Sequence, residues 1–189
     1  MKYIFSLVLA GFLYTSYAQS DLPRGFTQGK LVCADGTLLH GFVKDYIGSR
    51  SSVVFMRDAQ SKKKEFHGHD LVSAELGEAR YLCLHGDFFR IISEGELLLL
   101  QKSSDASATP IYNGNEAVFV NGTDGKKNDY FIYETKTKEL KLVNKKNIKE
   151  VSAAVFNGYT PAIDASAGTG ADLAVLKKAV ELYNTRPAK

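Results

Sequence analysis

Between Gly29 and about Leu142 the chain alternates short apolar, β-prone runs with turn residues, the pattern of antiparallel strands in a meander, sandwich or small barrel. Several hairpins can be placed. Lys30–Ala34 and Thr37–Tyr46 flank Asp35-Gly36, where glycine permits the positive φ of a tight turn. Val53–Arg57 and Lys63–Phe66 flank Asp58–Lys62, and Phe88–Ser93 and Glu96–Gln101 flank Glu94-Gly95. Ala117–Asn121 is expected to pair with Tyr130–Glu134 across Gly122–Asp129, and Leu140–Val143 adds a further strand. The four leucines Leu97–Leu100 have the length of a buried strand.

The period changes near Asn147. Ile148, Val151, Val155 and Phe156 recur at helical spacing, with Asn157-Gly158 as a left-handed stop. Tyr159–Gly170, with Pro161 and a run of small residues, reads as a flexible connection. Ala171–Tyr183 then carries Leu173, Leu176, Val180 and Tyr183 on one face, and Arg186-Pro187 ends it. Burying that face against the β portion contributes at most about 6–10 kcal/mol. The expected fold is α+β: a β-rich body over residues 29–143 and two C-terminal helices, within residues 147–184, packing on it.

Residues 1–18 read as an export signal: Lys2, an apolar stretch from Tyr3 to Tyr14, and Ser16-Tyr17-Ala18 ahead of a cleavage point. The stretch is shorter than the about 20 residues a spanning helix needs. No Cys follows the cleavage point before Cys33, so a lipoprotein anchor is not expected. Removal leaves a lead over residues 19–28 and about 170 residues in all, enough to bury a core. No later run is long enough to span a membrane.

The formal net charge is +3, and the lysine clusters Lys62-Lys63-Lys64, Lys126-Lys127 and Lys145-Lys146 fall at predicted turns. A nucleic-acid partner is therefore not expected. Cys33 and Cys83 are the two cysteines. In an oxidising compartment they admit two readings: one bridge closing a loop of about 50 residues, stabilising by roughly 4 kcal/mol, or two buried free thiols. The chain has no Cys-x-x-Cys redox motif.

The start Gly29-Lys30-Leu31-Val32-Cys33-Ala34-Asp35-Gly36-Thr37-Leu38-Leu39-His40-Gly41, the hairpin Phe88–Leu97, the segment Asp129-Tyr130-Phe131-Ile132-Tyr133 and the ending Leu173–Asn184 resemble a group of uncharacterised secreted β-rich proteins of Bacteroidota-type bacteria. The resemblance implies a diderm envelope, with release to the periplasm or cell surface. It carries over no activity and no functional residue. Cys33 stands where that group often has an aliphatic residue.

Candidate chemistry is sparse. In an extended Phe66-His67-Gly68-His69-Asp70, the imidazoles of His67 and His69 point to one side and could hold a divalent metal with Asp70, His40 or His85; the ordinary alternative is a polar connector between strands. No Gly-x-Ser-x-Gly elbow occurs, and serines cluster in the loops Ser49–Ser52 and Ser103–Ser107. Glu94 and Glu96 flank Gly95 on a hairpin tip and are expected to be solvated. Gly168-Thr169-Gly170 precedes a helix but lacks the Walker spacing and reads as a linker. Tyr112, Tyr130, Tyr133 and Tyr159 could form an aromatic binding surface or pack across strands. Asn121-Gly122-Thr123, a glycosylation sequon in form, is read as a turn. No cofactor motif is present, and no cofactor is expected.

These features point first to an exported module of the envelope or extracellular space, without catalytic activity, that binds an envelope protein or surface polymer. The alternative is a carrier of small apolar ligands with a β cavity closed by the C-terminal helix. A metal-dependent hydrolase built on His67 and His69 is third.

Overall fold

The β-prone runs fold into a ten-stranded antiparallel sheet in a computed structural model that describes residues 23–108, 110–113, 116–119, 122–167 and 172–187. Its strands are β1 (Phe26–Cys33), β2 (Leu38–Tyr46), β3 (Ser52–Met56), β4 (Lys64–His67), β5 (Leu71–Leu76), β6 (Ala79–Leu84), β7 (Asp87–Ser93), β8 (Leu97–Lys102), β11 (Tyr130–Glu134) and β12 (Leu140–Val143). Their order is β12-β11-β8-β7-β6-β5-β1-β2-β3-β4. A separate hairpin pairs β9 (Pro110–Asn113) with β10 (Glu116–Phe119). The helices are a single turn α1 (Ile47–Arg50), then α2 (Ile148–Val155), α3 (Thr160–Ser166) and α4 (Leu173–Asn184). The fold is α+β with a β-rich body, and among the described residues no helix is long and apolar enough to cross a membrane.

Chain connectivity shows that the sheet is rolled. β4 and β5 lie four strand positions apart, about 19 Å in a flat sheet, yet only the 3₁₀ turn Gly68–Asp70 joins them. Such a turn rises about 2 Å per residue, so the five strands must curl until β4 approaches β5. Gly29 and Gly41 face each other across β1 and β2. A Cβ at either would lie 2.5 Å or less from a neighbouring carbonyl oxygen, so both positions require the missing side chain. Leu31, Val43, Ile47, Val53, Phe66 and Phe88 fill the inside of the roll.

In the other half of the sheet both faces are apolar. Leu97, Leu99 and Ile132 pack with Phe156, Leu176, Ala179, Val180 and Tyr183 of the helical segment. Phe89, Leu100, Phe131 and Tyr133 form a second cluster, on the opposite face by strand alternation. β8 therefore serves two cores, which is why its run is unbroken leucine. α4 lies directly on the sheet, with Leu176, Ala179 and Val180 fully buried.

Two expectations change, and one of the two readings of the cysteines stands. β11 pairs with β8 and β12, not with residues 117–121, because Phe131 and Ile132 each bury against one face of the leucine strand, while the 110–119 segment closes on itself as a local hairpin. The 159–170 connection contains α3, with Pro161 in its first turn, where a missing N–H is no loss. Cys33 and Cys83 are buried free thiols rather than a bridge. β5 lies between their strands, so two strand spacings, about 10 Å, separate them, beyond the span a disulfide closes. Burial raises the pKa of both thiols, which keeps them protonated and poorly nucleophilic.

The excursion between β8 and β11, which carries the β9–β10 hairpin, is fixed at its base by a buried ion pair. Lys102 Nζ lies 3.1 Å from Asp87 Oδ2 and donates to the carbonyls of Thr123 (2.6 Å) and Gly125 (3.2 Å). Asp87 accepts from Ser104 Oγ and Ala106 N on the outgoing limb, and from Thr123 N and Oγ1 on the returning one. All three ammonium protons and both carboxylate oxygens have partners, the condition under which a buried pair is tolerable.

Among the described residues, Ser152 Oγ in α2 is the buried side-chain polar atom without a hydrogen-bond partner. Ser152→Ala removes an uncompensated hydroxyl and improves helix propensity. It should stabilise the protein by about 1 kcal/mol and raise the Tm by about 2–4 °C. An unchanged or lowered Tm would show that the hydroxyl has a role in the fold.

Candidate functional site

The 3₁₀ turn at Gly68–Asp70 places the two histidines on a bend rather than in the extended segment expected. Their rings stack in parallel, with centroids 5.8 Å apart, and His69 Nε2 lies 3.3 Å from Asp70 Oδ1. Asp70 Oδ2 accepts from the His67 backbone N–H, and the His67 ring accepts from the Asp70 N–H, so these side chains cap the turn. Among the described residues no group of three or more His, Cys, Asp and Glu is placed to hold a metal ion.

The four tyrosines do not make one surface. Tyr130 packs with the helix-side cluster and Tyr133 with the opposite one, since positions three apart on a strand face opposite ways. Tyr159 joins the helix-side cluster. Tyr112 is on β9, with its side chain outside the described residues, as are residues 1–18, Asn121 and Gly168-Thr169-Gly170.

The structure concentrates its chemistry elsewhere, in a cleft of about 370 Å³ where the β7–β8 turn, the α2–α3 turn and the end of α4 meet. Phe156, Tyr159 and Tyr183 bring aromatic rings to it, and Glu96, Asn157, Asn184 and Arg186 supply polar groups. Tyr183 stands between the other two rings, tilted against Phe156 at 5.6 Å and edge-on to Tyr159 at 6.3 Å. Asn157 and Gly158 both take positive φ, which turns the chain sharply out of α2 and exposes both residues at the rim.

Asn184 locks this corner. Its Oδ1 accepts from the Leu97 N–H (3.0 Å), and its Nδ2 donates to the carbonyls of Glu94 (3.1 Å) and Leu97 (2.8 Å). Gly95, at φ +152°, makes the approach possible, since a Cβ there would lie 2.3 Å from the Asn184 amide carbon. The end of α4 is thereby stitched to a turn almost ninety positions earlier in the chain.

Glu96 is the acid of the cleft, and it is held rather than free in solvent as expected. Lys136 Nζ lies 2.8 Å from its Oε1 and Arg186 Nη2 2.8 Å from its Oε2. Hydrogen bonds from Lys136 and Arg186 hold its carboxyl below the ordinary value. Glu94, its neighbour on the turn, pairs with Arg80 at the surface. In the sequence Glu96 and Tyr159 stand apart as separate candidates, and Arg186, Tyr183 and Asn184 do not stand out as site residues. The Arg-Pro pair just after the last helix marks only where that helix stops.

No family model, curated protein or solved structure matches this chain.

Proposed function

We propose that this protein is an exported module of the cell envelope or extracellular space that binds an envelope protein or surface polymer without catalysis, and that the cleft between the β7–β8 turn and the end of α4 is its ligand seat. One observation carries this reading: the cleft's carboxylate sits between two cations, with its pKa lowered. General acid work in the neutral range needs a carboxyl shifted upward, so Glu96 is suited to hold a ligand or neighbour by charge. The half-buried Tyr159 ring beside it, backed by the buried Phe156 and Tyr183, is the apolar component usual in binding sites. A carrier cavity closed by α4 is the weaker reading, because the apolar face of α4 is buried directly against the sheet. The envelope location rests on the signal-like segment at residues 1–18.

Site-specific photocrosslinking in the producing cells tests the proposal. A photoreactive residue at Asn157, exposed on the cleft rim, is compared with one at Glu78, exposed on the β5–β6 turn. The expected result is a discrete adduct from position 157 that is absent at position 78. The same adducts from both positions, or none from either, would overturn the assignment.

A further inference from the structure

We infer that the cleft is a guanidinium seat, occupied in this structure by the chain's own Arg186 in the place of an arginine side chain presented by a partner polypeptide; this rests on the cleft being the ligand seat. Three contacts define the seat. Arg186 Nη2 meets Glu96 Oε2 at 2.8 Å, Nη1 donates to the Tyr183 carbonyl at 2.7 Å, and the guanidinium carbon stands 3.6 Å from the centroid of the Tyr183 ring. A carboxylate, a backbone carbonyl and an aromatic face are the partners a planar, five-donor cation uses best. α2 ends at Val155 and α4 at Asn184, so two helix C-termini turn their partly negative carbonyl ends toward this region.

The contact is built so that Arg186 can leave. The end of α4 is held by the three hydrogen bonds of Asn184, none of which involves Arg186. Arg186 lies beyond the helix, and its side chain remains 27% exposed. Lys136 neutralises the other Glu96 oxygen from a position 70% exposed, so the carboxylate keeps a cation when Arg186 swings out. An internal arginine that fills the seat most of the time lowers apparent affinity for an incoming one by the fraction of time the seat is blocked.

The test uses the full mature chain, with N-acetyl-arginine methylamide as probe and amide NMR shifts of Leu97, Gly158, Tyr183 and Asn184 as readout. Arg186→Gln, which keeps a polar side chain, is run beside Arg186→Ala so that a folded vacant form is measured. The expected result is saturable binding about tenfold tighter in the vacant form than in the natural chain, abolished by adding Glu96→Gln. Equal affinity in the vacant and natural chains, no saturable shifts in the folded vacant form, or binding indifferent to Glu96→Gln would each overturn the inference. Free arginine distinguishes the source: a capped probe that binds at least as tightly supports a polypeptide ligand, whereas binding confined to the free amino acid contradicts one. Failure of this titration with the position-157 crosslink intact would remove the guanidinium assignment and leave the ligand seat standing.

Discussion

Asp87→Ala is expected to destabilise the protein by about 3–5 kcal/mol, the cost of leaving a buried ammonium without its counter-charge. Lys102 is 1% exposed and Asp87 wholly buried, so the ammonium is left without a charge partner away from bulk water. The substitution also orphans the Ala106 and Thr123 N–H groups, one on each limb of the excursion between β8 and β11. The loss should therefore appear as a lower denaturation midpoint, with the earliest amide exchange in residues 103–129. Combining Asp87→Leu with Lys102→Met should cost less than Asp87→Ala alone, because no charge then remains to be buried. A loss below about 1 kcal/mol in the single variant would mean that Lys102 reaches solvent.

Phe156→Ala should cost a similar amount, about 3–5 kcal/mol. Phe156 is fully buried where α2 ends, against Tyr183, and Ala162, Leu176 and Val180 of the same cluster are themselves fully buried, leaving little freedom to collapse into the space. The loss falls on both core and cleft, since Phe156 lines the cleft as well. Phe156→Leu should keep most of the stability while changing the cleft lining. Chemical denaturation separates the two outcomes. Equal losses for Leu and Ala would show that ring shape, rather than volume, is what the cluster requires.

Elements set by local pattern were legible in the sequence. Asp35-Gly36 marked the β1–β2 turn, and helical spacing marked α2 and α4, because turn chemistry and amphipathic period act over a few residues. Elements set by distant pairing were not. β11 chose β8 because Leu97–Leu100 could bury both of its faces, a competition that proximity to residues 117–121 does not reveal. Pro161 reads as a breaker until its place in the first turn of α3 is known. The histidine pair reads as extended until β4 is seen to end at His67, which leaves Gly68, His69 and Asp70 in a 3₁₀ turn. Most of the cleft was hidden for one reason: Glu96 meets Lys136 and Arg186 from 40 and 90 positions away in the sequence. No local motif marks such a meeting, and a glutamate two residues from another on a hairpin tip reads as solvated until the end of α4 is seen to lie on it.

If the cleft receives a partner, crosslinking from position 157 in cells carrying Tyr159→Ala should reveal it, with Tyr159→Phe as the conservative control. Tyr159 presents a ring to the cleft at the entry to α3, so the adduct should be lost in Tyr159→Ala and kept in Tyr159→Phe, with both variants folded by circular dichroism. An undiminished adduct in folded Tyr159→Ala would contradict a partner seated in the cleft.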